Sequence, residues 1–270
     1  MVTASSVTYN SDREELRRVI GCTAAGCVER IYVVDNSPTN ALRDFVTGLS
    51  DKITYFYGQG NVGYGAGHNI AIRRAIETGA KYHVVINPDI YFEAGTLDAL
   101  AGYMDANPQV GQVMPRIVYP DGSLQYLCKL LPTPMDLIGR RFIPVKSIVQ
   151  RRNDIFEMRN SGYSKEMDVP FLSGCFMFLR VDALGKTGGF SDKYFMYCED
   201  IDLCRRISAA GYRTVFYPEV TVVHAHKKES YKSKKMLLMH IKSAVTYFNR
   251  WGWVFDRHRR RMNKMAKKQY

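Results

Sequence analysis

Three short stretches of this chain carry side chains able to do chemistry together. Asn87-Pro88-Asp89 follows the apolar run Tyr82–Ile86 and puts one carboxylate where a buried strand would end. Glu199-Asp200 opens a segment of helical character, and His224 and His226 follow the apolar run Val220–Val223. Taken singly, each has an ordinary explanation as a turn, a helix cap or a pair of edge histidines. As a set, an Asp after one strand, an acidic pair and a His after a late strand could hold a divalent cation and supply a general base.

A fourth stretch is the glycine run from Gly60 to Gly67, flanked by Asn61 and Asn69. Gly63, Gly65 and Gly67 give GxGxG, and His68 stands where a dinucleotide fingerprint needs its third glycine. The Gly-Lys-Ser/Thr of a phosphate-binding Walker loop is also missing. A flexible strand-to-helix turn and a backbone that approaches a ligand closely both remain open.

Such groups work together only if the elements deliver them to one place. A short strand at Ser5–Tyr9 precedes Ser11 and Glu14, whose capping-box spacing opens a helix reaching about Ile20. Ile31–Val34, which ends in Asp35-Asn36-Ser37-Pro38, and Ile53–Tyr57 read as further strands. A helix follows the glycine run, with Ile72, Ala75 and Ile76 on one face and Gly79 as its stop. After Tyr82–Ile86, another helix runs from about Leu97 to Asn107-Pro108. This βαβαβ order predicts a parallel sheet with ligands at the carboxyl ends of its strands.

Residues 110–170 lose the rhythm. Pro115, Pro120, Pro132, Pro134 and Pro144, with Arg140-Arg141 and Arg151-Arg152, predict a loop-rich insertion. Order returns with a strand at Ser173–Arg180, a turn at Gly188-Gly189-Phe190, a helix over Asp200–Ala210, and strands at Thr214–Tyr217 and Val220–Val223. Acids Glu199, Asp200 and Asp202 in the first helical turn suit the helix dipole.

The 270 residues are 46% hydrophobic and 24% charged, which excludes a chain disordered throughout. No run of about 18 apolar residues occurs, so no helix is expected to span a bilayer. Met1 to Asn10 lacks the basic segment and apolar block of a signal peptide, and the six cysteines form no CxxC pair, which together predict a cytoplasmic protein with reduced thiols.

Net charge is +12, and Lys227 to Tyr270 holds 14 Lys or Arg against two acids, so the rest of the chain is balanced. Leu237, Ile241, Val245 and Phe248 fall on one helical face in this tail, the pattern of a cationic helix on an anionic membrane surface or of a helix packed on the body. A nucleic-acid-binding protein is the reading from another class, although the balanced body offers it no continuing basic groove. A sugar nucleotidyltransferase would need a basic glycine-rich loop where this chain has Thr8-Tyr9-Asn10-Ser11-Asp12.

Five ordered segments resemble the inverting family 2 glycosyltransferases, most closely the bacterial rhamnosyltransferases of O-antigen and cell-wall polysaccharide assembly. They are Ser6 to Ser11, Val33 to Ser37, Asn61 to Asn69, Asn87-Pro88-Asp89, and Gly189-Phe190 through the block Tyr197-Cys198-Glu199-Asp200-Ile201-Asp202-Leu203-Cys204-Arg205-Arg206. The resemblance covers about residues 5–226. It implies an α/β protein of GT-A fold, a Rossmann-like, mostly parallel sheet flanked by helices. Residues 1–109 would form the nucleotide-binding half and 110–226 the acceptor and catalytic half, followed by a basic amphipathic helical tail over 227–270.

On the same resemblance, Thr8, Tyr9 and Asn10 would lie beside the base and Asp35 on base or ribose. Asn61, Gly63, Asn69 and Asn87 would line the nucleotide. Asp89, the last position of the family's DxD motif, would bind Mg²⁺ or Mn²⁺ across the diphosphate, with His224 as a further metal contact. Asn87 replaces the first carboxylate of that motif. Asp200 matches the catalytic base, with Glu199 beside it as a positioning group. The implied partners are a nucleotide-diphosphate sugar, dTDP-rhamnose or a UDP-hexose, and a saccharide or polyprenyl-linked acceptor. No nucleic acid is implied, and the tail would rest peripherally on the inner face of the plasma membrane.

Overall fold

A computed structural model describes residues 1–139, 143, 145–225 and 234–270. Arg140, Arg141, Pro144, His226 and the junction between body and tail lie outside the described residues. The first half builds β1 (Val2–Thr8), α1 (Arg13–Ala24), β2 (Val28–Asp35), α2 (Arg43–Thr47), β3 (Ile53–Phe56), α3 (Tyr64–Glu77), β4 (Tyr82–Ile86), β5 (Ile90–Phe92) and α4 (Thr96–Ala106). After it come β6 (Val110–Val118), β7 (Cys128–Lys129), α5 (Pro134–Leu137), α6 (Lys146–Phe156), β8 (Met167–Asp168), β9 (Phe171–Leu172), β10 (Phe176–Arg180) and α7 (Val181–Thr187). The chain closes with α8 (Glu199–Ala209), β11 (Arg213–His224), α9 (Lys234–Trp251) and α10 (Arg257–Lys267).

The main sheet runs β3-β2-β1-β4-β10-β6-β11-β5, with β8 added on β11. Strands β3, β2, β1 and β4 are parallel, β10 is antiparallel to both β4 and β6, and β6 is parallel to β11. The carboxyl ends of β1, β4 and β11 therefore meet the amino end of β10 at one edge, which is where an open α/β sheet gathers its ligands.

Several sequence expectations change in detail. The helix cap at the first turn is Asp12, not Ser11: its carboxylate accepts from the Glu14 and Glu15 amides, and the helix continues to Ala24. The region from 110 opens with a nine-residue strand in the middle of the sheet. Pro115 and the polar Gln112 and Arg116 hid it from pattern reading. The two late strands are one, β11, whose register shifts between Tyr217 and Thr221 around Pro218, a residue that cannot donate to the ladder. Part of the glycine run is not loop, since Gly65 and Gly67 already belong to α3.

Strand β1 is unusually polar for the sheet's interior, and its neighbours explain why. The Thr3 hydroxyl meets His83 Nδ1 at 2.8 Å, while the Ser5 hydroxyl meets His83 Nε2 at 2.8 Å and His68 Nδ1 at 2.7 Å. All four side chains are buried, so the strand's polar residues complete a network under α3. Burial holds His83 down to about 3, hence neutral.

The glycine run fits the same region. Gly63 has φ of +88°, and a Cβ there would stand 2.2 Å from the Phe195 carbonyl oxygen; one at Gly67 would stand 2.9 Å from Val7 Cγ2. Larger residues would push α3 off β1 and off the loop before α8.

No helix among the described residues is long and apolar enough to cross a membrane. All six cysteines are free thiols.

Candidate active site

At the sheet edge just described lies an open cleft of about 660 Å³. Its walls include Tyr9, Asn10 and Asp12 after β1, Asn87 to Asp89 after β4, Ser173 to Cys175 before β10, Glu199 and Asp200 at the start of α8, and His224 at the end of β11. Backbone bonds stitch these loops together: the Asn87 amide donates to the Cys175 carbonyl and the Ala225 amide to the Asp89 carbonyl, both at 2.9 Å.

Asp89 Oδ1 lies 3.3 Å from His224 Nε2. The other face of the imidazole is fixed by Gln125, whose Oε1 is 2.9 Å from His224 Nδ1 and whose amide donates to the His224 carbonyl at 2.7 Å. Burial disfavours the imidazolium, yet Cys175 and the Asp89 carboxylate hold the His224 pKa up at about 10. Beside this pair Asn87 Oδ1 is buried without a hydrogen-bond donor. Among the described residues no group of three or more His, Cys, Asp or Glu could hold a metal by itself. Asp89 and the Asn87 oxygen, with His224 once a cation displaces its imidazolium proton, form an oxygen and nitrogen donor set that fits Mg²⁺ or Mn²⁺ when a diphosphate adds its own oxygens.

The acidic pair sits across the cleft at the start of α8. Tyr197 and Cys198 immediately before it both have left-handed backbone, φ +69° and +65°. Such residues cost about 1–3 kcal/mol each and persist only where the surroundings impose them. Here they turn the chain so that α8 begins inside the cleft.

Asp200 is held by two amides, from Gly174 at 3.0 Å and from Ile201 at 2.8 Å. Glu199 Oε2 is buried with no donor. Burial raises both carboxyls, and the neighbouring Asp200 charge adds to the shift of Glu199, which is pushed up to about 8. The two amide donors favour the carboxylate form of Asp200, whereas Glu199 Oε2 has none, so a proton held by the pair prefers Glu199.

Of the residues expected from sequence, Tyr9, Asn10, Asn87, Asp89, Glu199, Asp200 and His224 share this cleft. The others lie outside its wall. Thr8 is buried at the end of β1. Asp35 is buried, accepting from the Ser37 amide and the Tyr55 hydroxyl. Asn61 accepts from the Gly63 amide at 3.2 Å, and Gly63 caps α3. Asn69 uses both ends of its amide on the Phe190 backbone, so it fastens the loop before α8 to α3. Sequence reasoning missed Gln125, Gly174 and Tyr64, whose hydroxyl donates to the Gly174 carbonyl at 2.6 Å. Their roles depend on partners distant in sequence: Gln125 reaches His224 across 99 positions, Tyr64 reaches Gly174 across 110, and Gly174 reaches Asp200 across 26.

A family model described as "Glycosyltransferase like family 2" matches residues 7–240. The chain is 29% identical over 213 residues to an N-acetylglucosaminyl-diphospho-decaprenol L-rhamnosyltransferase of Mycobacterium tuberculosis, covering 74% of this chain and 67% of that one. It is 27% identical over 227 residues to the rhamnosyltransferase WbbL of Escherichia coli, covering 82% of each. Its fold is similar to that of the mannosyltransferase PcManGT from Pyrobaculum calidifontis, solved in complex with GDP-Man and Mn²⁺, with a TM-score of 0.59 and 19% identity. That match covers 91% of this chain, which spans 64% of the length of the mannosyltransferase.

Proposed function

The chain belongs to the family 2 glycosyltransferases and has their GT-A fold, and from that premise we propose that it moves L-rhamnose from dTDP-rhamnose to a saccharide or lipid-linked saccharide hydroxyl. Support for the sugar comes from the two relatives named as rhamnosyltransferases. The observation that carries the mechanism is that Glu199 and Asp200 line the same cleft as Asp89 and His224.

Asp200 takes the acceptor's proton as the acceptor oxygen attacks the anomeric carbon. The bond to the diphosphate breaks, and its electron pair leaves with the nucleoside diphosphate. One displacement inverts the anomeric centre. A general base of this kind contributes on the order of 10²–10⁴-fold. The leaving group is already good, so no second carboxyl has to protonate it, unlike in glycoside hydrolysis. Protonated Glu199 keeps a second negative charge away from the anionic donor and can donate a hydrogen bond to the acceptor.

Asp89 and His224, with Asn87, would hold Mg²⁺ or Mn²⁺ at the diphosphate. A cation held by these residues would supply Lewis-acid stabilisation of the departing diphosphate. Tyr9, which is exposed at the mouth of the cleft, and Asn10 would receive the nucleoside. A polyprenyl-linked acceptor would bring the enzyme to an anionic membrane surface on its cytoplasmic face, with the C-terminal segment as the contact.

A donor screen tests the assignment. Nucleoside diphosphate release is measured with dTDP-rhamnose and UDP-hexoses, with Mn²⁺, Mg²⁺ or chelator. The expected result is metal-dependent turnover with dTDP-rhamnose, while preference for a UDP-hexose would overturn the assigned sugar.

A further inference from the structure

The C-terminal segment is divided between residues that hold the body and residues turned away from it. Helix α9 buries Ser243, Ala244, Tyr247 and Phe248. This packed face is offset from the face Leu237, Ile241, Val245 and Phe248 read from the sequence, and only Phe248 belongs to both. After α9 the chain turns at Gly252, whose φ is +100°. The next three side chains become progressively more exposed: Trp253 at 40%, Val254 at 64% and Phe255 at 85%.

This tip is neither a frayed end nor a loose loop. Asp256, directly after it, is buried and forms a bidentate pair with Arg205 of α8. Arg259 is also buried, and its guanidinium donates to the carbonyls of Trp253 at 3.3 Å and Val254 at 3.2 Å. The backbone is thus fixed from below, while among the described residues the Val254 and Phe255 side chains stay mostly open to solvent. Large apolar side chains presented this way mark a surface that meets something apolar.

Helix α10 gives the charge. Arg259 and Ala266 face the body, and Arg257, Arg260, Arg261 and Lys264 are exposed at helical spacing on the other side. Arg260 lies over the Phe255 ring at 5.9 Å, so the cations begin where the apolar tip ends. Residues 257–270 contain no acid.

We propose that Val254 and Phe255, backed by Arg257, Arg260, Arg261 and Lys264, form a docking element for a bilayer rich in anionic phospholipid. The element rests on, and deepens, the reading that the acceptor is lipid-linked. Two outward apolar side chains ringed by cations match an interface where headgroup phosphates lie above acyl chains. A nucleic acid would satisfy the cations but has no use for an exposed valine, which cannot stack on a base. A second copy docked by a two-fold axis would bring the same cations face to face.

Sedimentation of the full chain with vesicles tests this, without donor present. We expect binding to vesicles of equal parts phosphatidylglycerol and phosphatidylcholine and none to phosphatidylcholine alone. Val254→Ser with Phe255→Ser should lower the bound fraction about tenfold at limiting lipid. Arg260→Gln and Arg261→Gln should each weaken binding about fivefold. Brominated acyl chains should quench Trp253. Both tip positions are exposed, so the double variant should keep the parent melting temperature and its turnover on a soluble saccharide acceptor.

Wild-type protein that ignores anionic vesicles, or a double variant that binds them equally well, would overturn the proposal. So would a dimer abolished by the tip substitutions, or RNA binding that outcompetes vesicles and survives them. Vesicle binding without sugar transfer would count against the transferase reading alone, and transfer to a soluble acceptor without vesicle binding against the docking element alone.

Discussion

At the residue scale, two adjacent carboxyls in one cleft are made different by their donors. Asp200 receives two amide hydrogens and Glu199 Oε2 receives none, so the shared proton settles on Glu199. With a Glu199 pKa near 8, kcat/KM should fall above that pH as a second negative charge appears beside the donor. Glu199→Gln should remove this alkaline limb and keep most of the activity at pH 7. An unchanged profile in that variant would show that Glu199 is not the titrating group. Stability carries the same sign. The folded state binds a proton between the ordinary value of 4.5 and about 8 that the unfolded chain has lost, so stability declines as pH rises through that window. Urea midpoints measured across it should slope downward in the parent and be flatter in Glu199→Gln. Sequence showed the Glu-Asp pair through its family block, but not the asymmetry. That depends on Gly174, which reaches Asp200 from 26 positions away.

At the scale of elements, polarity inside the sheet and charge inside the tail have the same cause, a partner elsewhere in the fold. Ser5 bridges His68 and His83, so Ser5→Ala strands two buried ring nitrogens and should cost about 1–3 kcal/mol for each group left unsatisfied. Urea unfolding would show it as a lower midpoint with an unchanged slope. The strand at 2–8 was legible only in part because its alternation is polar, and the residues that make it central lie 63 and about 80 positions away. In the tail, Arg205 and Asp256 are 1% and 3% exposed. Asp256→Ala would leave Arg205 charged and unpaired inside the protein, a loss of about 3–5 kcal/mol that a thermal melt would detect. Helix α9 also braces the strained turn before α8. The Ser243 hydroxyl donates to the Met196 carbonyl at 2.7 Å, and His240 meets the Tyr197 ring edge-on with centroids 5.3 Å apart.

At the scale of the whole molecule, the basic tail is part of the machine that aims the base. Asp202, two residues after Asp200 and fully buried, accepts from Trp251 Nε1 at 2.8 Å and pairs with Arg206 and Arg250. A chain ended after Ala225 would therefore expose the α8 face that α9 covers, leaving Arg205 without Asp256 and Asp202 without Trp251 and Arg250. We expect it to lose cooperative unfolding and turnover together, checked by calorimetry and donor assay. The order of strands and helices was legible in the first half because hydrophobic period and turn residues agree there. Residues 110–170 were not, since β6 carries a proline and Gln125 works only by gripping His224 across 99 positions. Charge counting found the tail but not its role. A sum of cations does not reveal that Arg259 is buried and Arg250 reaches in to the buried Asp202, while Arg257, Arg260 and Arg261 are exposed.

The most direct test of the whole account is a paired measurement on Asp200→Asn: donor affinity by calorimetry and nucleoside diphosphate release with acceptor present, both in Mn²⁺. The amide keeps the shape of the side chain and removes its basicity. Donor affinity within a few-fold of the parent, with turnover down by at least about 10²-fold, is the predicted pair of results. Turnover near the parent rate would contradict the assignment of Asp200 as the base on which the proposed transfer depends.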